Sequence, residues 1–430
     1  MNAIREEARE TRLAAETDLC VVGGSCTGVF AAVAAARLGA RVAIIEANGF
    51  FGGVATASLV NVWHSTFDTT GKQPIIAGLT AEVIERLKKR RAIVVHGSAS
   101  VGCVLNTEEL KIVLDELVAE AKVRPFLHAL FVAPAVRDGR LDAAVIEDKS
   151  GRRAIRAAYF IDATGDADVV HRMGLPTYRR ENVQPPTTCA ILRDLGDAAR
   201  RHPGFNIHQA IFDRKYPNAL RPGFSWGAKV PGSRDDYMLA GTRVFGADCS
   251  DADQLTQAEI EGRRQIRAVC DILREHFLPG EAGPLVALPA KIGIRETRHA
   301  RCLHTLTEQE LLSGRRFPDA IANGSYRVDI HNARGAGVTF RDLKDTTFYQ
   351  IPYASLVPQG AKNLLIAGRS IDADAGAFGA VRVMVNCNQM GQAAGVASAL
   401  ALASRASVSE VDPAKLGQAL ARQGAIIICG

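Results

Sequence analysis

The chain has 430 residues, 47% apolar and 23% charged, with 52 basic and 46 acidic side chains for a formal net charge of +6. That length exceeds one simple core, and the composition excludes a disordered, fibrous or collagen-like chain. The basic excess is spread along the sequence: Lys88-Lys89-Arg90-Arg91 reads as a solvated helix end, and no interleaved aromatics mark a nucleic-acid surface.

Nine cysteines include no C-x-x-C pair and no His/Cys cluster at zinc or iron–sulfur spacing, so no metal site is expected. Their odd count and scatter suit a reducing compartment, and a cytoplasmic protein is expected. No apolar stretch approaches the ~20 residues of a membrane span, so neither a membrane nor a nucleic-acid partner is expected. Residues 1–16 are charged and helix-prone, unlike a secretion signal. They are expected to form an appended helix over a surface or a neighbouring subunit, which leaves a homo-oligomer open.

Residues 18–46 organise the rest of the chain. Leu19 to Val22 reads as a buried parallel strand, Gly23, Gly24 and Gly28 as a tight turn, and Val29 to about Leu38 as an Ala-rich helix ending at Gly39. A second strand, Arg41 to Ile45, ends in Glu46. Strand, glycine turn, helix, strand and acid make a dinucleotide-binding unit. Gly23 allows the sharp turn and Gly28 lets the helix pack closely. The free N–H groups at the helix start attract phosphate, and Glu46 can accept from ribose hydroxyls. One departure stands out: Ser25 occupies the place of the second glycine of G-x-G-x-x-G. It is small, and its hydroxyl can donate to phosphate. The rival reading is a purely structural glycine turn.

Residues 49–60 carry the pair Gly52-Gly53 among small side chains, fit either for close passage beside a cofactor or for an ordinary loop. Residues 61–78 hold an unusual polar set with Trp63, His64 and Asp68. Helices are expected over 80–91 and from Asn106 to Ala121, the latter capped by Asn106. Strands Pro125 to Val132, Ala135 to Val136, Ala143 to Asp148 and Ala154 to Ile161 form a meander, ending in Asp162-Ala163-Thr164-Gly165-Asp166. Residues 185–345 carry more proline and aromatics and read as an inserted domain. It has one long helix, Gln254 to His276, and strands Leu288 to Ile294 and Tyr326 to Ile330. The α/β style then returns with a strand, Asn363 to Ala367, and a helix from about Gly391 to Ser404.

These motifs together resemble a family. Val21 to Glu46, Gly52 to Thr56, Ile161 to Asp166, Leu365 to Arg369, Val381 to Met384 and Met390 to Gly395 are similar to the FAD-dependent oxidoreductases, relatives of the succinate dehydrogenase and fumarate reductase flavoproteins. Ile292 to Arg298 and Asp329 to Asn332 fit the same likeness. It implies an α/β fold: a three-layer Rossmann-like FAD-binding domain of parallel sheet plus β-meander, with an inserted α+β substrate or cap domain. The implied division is 17–185 and 346–430 for the FAD domain and 186–345 for the insert. The resemblance implies FAD held at Gly23, Ser25, Cys26, Thr27, Gly28 and Glu46. Gly53, Thr56, Val132, Ala163, Gly165 and Asp166 would support it, with Gly368 and Arg369 beyond. A late helix starting at Gly391, Gln392 and Ala393 would aim its positive end at the ring.

A flavin enzyme must hold a substrate carbon over the ring and manage one proton. The candidates are His331 at a strand end, His64, Arg382, Arg298 as a carboxylate anchor, and Tyr349. Each has a structural rival: for Arg382 a salt bridge to Asp372 or Asp374, for Arg295, Glu296 and Arg298 an inter-domain ion pair, and for Tyr349 core packing. Arg295 to Arg298 is read as a strand-to-helix transition, with His299 and His304 on helix at a spacing that does not suit a metal. No second glycine unit follows residue 46 and no cysteine pair can relay electrons, so a built-in nicotinamide site is not expected: electrons are expected to come from a bound substrate, or to leave to oxygen or to an electron donor or acceptor of unknown identity. The expected activity is hydride transfer between a small organic substrate and flavin. An oxygen-using oxidase or monooxygenase, and a flavin-binding subunit without turnover, are the alternatives. The Gly368-Arg369 pair, where aromatic hydroxylases usually carry Gly-Asp, speaks against a hydroxylase.

Overall fold

The computed structural model describes residues 4, 7–96, 101–280 and 283–428. Strand β1 (Arg12–Val22) is followed by helix α1 (Cys26–Ala36) and strand β2 (Val42–Ile45). Arg12 to Glu16, expected to end a helix, is strand instead, because its backbone pairs in parallel with a distant segment, Arg12 against Arg153 and Glu16 against Arg156. Residues 7–11 carry no helix either. The rest of the expected extension, apart from residue 4, lies outside the described residues. A charged, alternating stretch satisfies either pattern locally, and a partner strand decides between them.

Next come β3 (Val62–Trp63), α2 (Leu79–Lys89), β4 (Ile93–Val95), β5 (Cys103–Leu105) and α3 (Thr107–Glu120). The Asn106 side chain caps α3 by accepting from the Glu108 and Glu109 N–H groups. Strands β6 (Arg124–Phe126), β7 (Leu130–Arg137), β8 (Arg140–Asp148) and β9 (Gly151–Asp162) follow. Helix α4 (Asp168–Arg172) and strands β10 (Thr177–Arg179) and β11 (Cys189–Leu192) lead into α5 (Leu195–Arg201) and α6 (Ile207–Ala210). The middle of the chain continues with β12 (Trp226–Lys229), β13 (Tyr237–Ala240), α7 (Ala252–His276), β14 (Leu285–Ala287) and β15 (Arg298–Ala300). It closes with α8 (Glu308–Leu312), β16 (Ala320–Gly324), β17 (Val328–His331), β18 (Val338–Arg341) and β19 (Tyr349–Pro352). Strand β20 (Leu364–Ile366) and helices α9 (Ala375–Val381), α10 (Met384–Ser404) and α11 (Pro413–Arg422) end it.

The main sheet runs β6-β2-β1-β9-β8-β7. β6, β2, β1 and β9 are parallel, while β7, β8 and the start of β9 form the antiparallel meander. β20 pairs in parallel with the end of β9, on the side away from β1. Helix α1 is buried on nearly every face, and α10 packs along it. The close approach needs glycine: a Cβ on Gly391 or Gly395 would lie 2.1 Å from the carbonyl oxygen of Thr27 or Ala31.

A second layer of structure, β12-β13-β11-β14 with α7 against it, has its own core of Ala190, Leu192, Leu239, Ile266 and Leu273. Ala300, Cys302, Leu306, Ile321 and Val328 belong to the main core instead. Two local expectations fail here. Leu288 to Ile294 is not a strand: Pro289 cannot donate to a ladder, and Gly293 alone makes an isolated bridge, to Thr187. Arg298–Ala300 is strand, not a turn into helix, because β10 offers it an antiparallel partner. No helix among the described residues is long and apolar enough to cross a membrane.

Candidate functional site

One elongated cavity of about 1190 Å³ opens where β1, β2 and β9 end. Sites for a single small molecule are roughly 300–1,000 Å³, so this cleft has room for more than one. The glycine turn forms one end. Gly23 has φ +107, and a Cβ there would lie 2.4 Å from the Ala163 oxygen; one on Gly28 would lie 1.8 Å from the Gly23 oxygen. Backbone therefore forms the floor of the turn, leaving the start of α1 open to a ligand. The Ser25 departure has a simple reason. Its φ of −62 and ψ of 172 are extended, so no glycine is required, and its side chain caps α1 by accepting from the Gly28 N–H.

Glu46 is buried. Its Oε2 accepts from the Gly24 N–H at 2.7 Å, and its Oε1 from the Asn48 N–H at 2.8 Å and from Asn48 Nδ2 at 2.6 Å. The turn after β9 is tied by Asp162, whose carboxylate accepts from Thr164 and from the Val169 and Val170 N–H groups, and which burial raises to about 6. Burial pushes the Asp166 carboxyl up, but Arg369 and Lys291 outweigh it and hold it low. Asp166 accepts from Thr297 Oγ1 at 2.6 Å and Arg369 Nη2 at 2.7 Å.

Of the residues implied for the cofactor, Gly23, Ser25, Cys26, Thr27, Glu46 and Gly53 line this cleft. So do Ala163, Gly165, Asp166, Gly368 and Arg369. Gly28 packs beneath the turn. Thr56 turns away: its hydroxyl donates to the Phe51 carbonyl at 2.7 Å. Val132 is not on the wall, where Ala129, Leu130 and Phe131 stand instead; its carbonyl accepts from the Arg172 guanidinium.

The late helix needs the largest correction. α10 begins at Met384, seven residues before the expected Gly391, and Met384, Cys387 and Asn388 reach the cleft. Gly391 lies against α1, Gln392 accepts from the Leu79 N–H at 3.1 Å, and Ala393 is fully buried. The helix is buried nearly all round, so no amphipathic stripe marks its start.

Opposite the glycine turn, a polar cluster centres on Asp329. Its Oδ2 accepts from the Tyr326 hydroxyl at 2.8 Å and from Arg382 Nη2 at 3.3 Å, and His331 Nε2 lies 3.5 Å from its Oδ1. Arg382 pairs with neither Asp372 nor Asp374. The His64 ring lies 4.0 Å from that of Tyr326. Gly379 of α9 lets that helix press on β17: a Cβ would lie 2.9 Å from the Asp329 carbonyl oxygen. His64, Tyr326, Asp329, His331, Arg382 and Arg295 all face the same cleft.

Burial pushes the Asp329 carboxyl up, but His331 and Arg382 hold it well below the usual carboxylate range. Burial, with Arg295, brings His331 down to about 3; burial brings His64 to about 4. Both rings are neutral at pH 7. Several buried atoms of the wall have no hydrogen-bond partner among the described residues: His64 Nδ1, His331 Nδ1, Arg382 Nε and both amide atoms of Asn388. Unsatisfied polar atoms are costly unless a ligand meets them.

Two expected catalytic residues are elsewhere. The Tyr349 hydroxyl donates to the Ala380 carbonyl at 3.2 Å and accepts from Asn386 Nδ2 at 2.9 Å, inside the core. Arg298 braces the wall from behind, 2.5 Å from Asp168 and donating to the Asp166 carbonyl at 3.1 Å. Glu296 pairs with Arg180. No group of His, Cys, Asp and Glu that could hold a metal occurs among the described residues. Tyr326 and Asn388 escape the sequence reading. Asp329 and His331, two apart on one strand, share a face, which alternation along β17 makes readable; Asn388 is signalled only by polar residues in an otherwise apolar helix.

Comparison with known proteins completes the picture. The FAD dependent oxidoreductase family matches residues 18–420. No curated protein matches the chain. Among solved structures it is similar to a geranylgeranyl bacteriochlorophyll reductase-like protein from Thermoplasma acidophilum, at 14% identity over 96% of this chain and 84% of that one, TM-score 0.46. It is also similar to p-nitrophenol 4-monooxygenase PnpA from Pseudomonas putida DLL-E4, at 12% identity over 94% and 83%, TM-score 0.47. A flavoprotein/dehydrogenase from Cytophaga hutchinsonii aligns at 13% identity over 94% and 83%, TM-score 0.46.

Proposed function

The chain belongs to the FAD dependent oxidoreductase family, and from that premise we propose an enzyme that transfers a hydride between the flavin and an organic substrate held against the Asp329 cluster. The residues fit FAD. The glycine turn packs too closely on its own backbone for a Cβ and leaves the start of α1 open on the cleft, and the opposite wall carries orphaned polar atoms. Ser25, Cys26 and Thr27 would hold the pyrophosphate and Glu46 the ribose; Asn388 and the start of α10 would meet the ring. Bound FAD supplies the two-electron exchange with a substrate carbon.

The chain does the rest. The positive end of α10 favours negative charge in the cleft. Arg382, fixed by Asp329, lines the same space, and its buried Nε has no partner among the described residues. His331 is neutral and its Nδ1 is free to accept or return a proton, while Asp329, beside Nε2, stabilises the charged ring. A pKa near 3 makes His331 a weak base until a negative charge offsets Arg295.

The observation that carries the reading is the union of a nucleotide cradle and this proton-handling cluster in one cleft. The relation to succinate dehydrogenase and fumarate reductase flavoproteins is part of the proposal, supported by the shared motifs. So are electrons that come from a bound substrate or leave to oxygen or a partner, in keeping with a single glycine unit, and a cytoplasmic setting, supported by the free state of every described cysteine. The test is anaerobic: substrate should bleach the flavin absorbance of the purified protein. Flavin that no organic donor or acceptor changes would overturn hydride transfer, and substrate-dependent oxygen consumption would favour the oxidase or monooxygenase alternative.

A further inference from the structure

The polar end of the cleft has more positive than negative charge. Arg295 lines it, yet its Nη1 donates to neutral groups, the Pro185 carbonyl and Thr187 Oγ1, each at 2.6 Å. Arg382 shares the one carboxylate of the cluster, Asp329. Arg243, buried behind them, donates to the Gly337 carbonyl at 3.1 Å and the Phe224 carbonyl at 3.3 Å. Three guanidinium groups thus face one carboxylate. Burial and the charges of Arg382 and Arg243 pull Arg295 down to about 9, the mark of a cation short of a counter-ion.

A second observation concerns the wall beside the cluster. Phe224 and Phe340 remain 38% and 41% exposed, although both are large and apolar, and both line the cleft with Trp226, Val60 and Val62. The Phe224 ring stands edge-on to His331, with centroids 6.3 Å apart, and to Phe340 at 6.0 Å. Exposed apolar rings beside a set of uncompensated guanidiniums match a ligand with an apolar body and an anionic end.

We propose that the substrate is an organic carboxylate with an apolar body, its carboxylate received by Arg295 and its body resting on Phe224, Phe340 and Trp226. The proposal rests on the hydride-transfer reading and names its substrate class. The carboxylate completes the charge balance with a two-pronged contact that a neutral group cannot make. The body places the adjoining carbon beside His331.

Calorimetric titration of the purified protein tests this with three probes: phenylbutyrate, its neutral amide, and butyrate. Phenylbutyrate should bind at least about tenfold more tightly than either of the others. In Arg295→Gln the acid should lose its advantage over the amide, with Arg295→Lys restoring part of it. In Phe224→Ala, a partly exposed position, phenylbutyrate should lose its advantage over butyrate. Equal binding of acid and amide to the unmodified protein would overturn the proposal, as would failure of all three to bind. If Arg295→Gln does not fold, the comparison of probes on the unmodified protein and on Phe224→Ala decides. Because the titration reads binding, it separates this proposal from the parent reading: acid selectivity in a protein whose flavin never changes redox state would sink hydride transfer and leave the anion site standing.

Discussion

The two ends of the cleft are built in opposite ways. At the glycine turn, backbone and near neighbours do almost everything: Gly23, Gly28, Ser25 and Glu46 come from one stretch, and the Glu46 carboxylate is satisfied by Gly24 and Asn48. At the Asp329 end, side chains arrive from His64, β17, Arg295 and the start of α10, and several of their polar atoms have no partner. The difference teaches where binding and chemistry divide. A cradle that recognises an invariant group can be finished in advance, whereas a reacting site keeps donors and acceptors free for the group that will bind there.

The hardest blow falls on the turn. Gly28→Val places side-chain carbon where the Gly23 carbonyl already stands. It should cost roughly 3 kcal/mol or more in denaturant unfolding and abolish flavin retention in the purified protein. A Gly28→Val protein that stays yellow would break the view of a pre-built cradle. At the other end, Asp329→Asn should leave flavin content intact while slowing flavin reduction by about 100-fold, since Arg382 and His331 lose their shared anion. Stopped-flow reduction beside an absorption spectrum reads both. Loss of flavin without a change in rate would mean that the ends are not separate.

Acid should act on the polar end. An unfolded histidine titrates near 6.5, whereas His64 and His331 titrate at about 4 and about 3 in the folded chain. Between those values the unfolded chain binds more protons, so stability falls as pH drops from about 6.5 toward 3 and gains nothing from these groups above 6.5. Asp329 and Glu296, both held low, start to withdraw their contribution where unfolded carboxyls titrate, at about pH 4, and so steepen the lower part of the same decline. Urea midpoints across this range should show the decline, and His331→Gln should flatten it. The smallest effect belongs to a residue outside both ends: Tyr349→Phe removes the hydroxyl that bonds Ala380 and Asn386 and should cost about 1 kcal/mol without altering flavin reduction.

What could be read in the chain itself was whatever one segment completes alone. The Leu19 to Glu46 unit, the Asn106 cap, the meander turns and the Val328–His331 strand depend on residues a few positions apart, and local sterics specify them. Even Ser25, the one irregularity, turned on its own backbone angles. What needed the folded molecule was whatever a distant partner decides. Arg12 to Glu16 is strand because Arg153 to Arg156 lies beside it, and Arg298–Ala300 because β10 does. The start of α10 was hidden because burial on every face erases periodicity. The grouping of His64, Arg295, Tyr326, Asp329 and Arg382 has no local signature, since their spacing in sequence bears no relation to their distance in space. Covalent neighbours fix the shape of the turn, while only packing brings together the charges that face it.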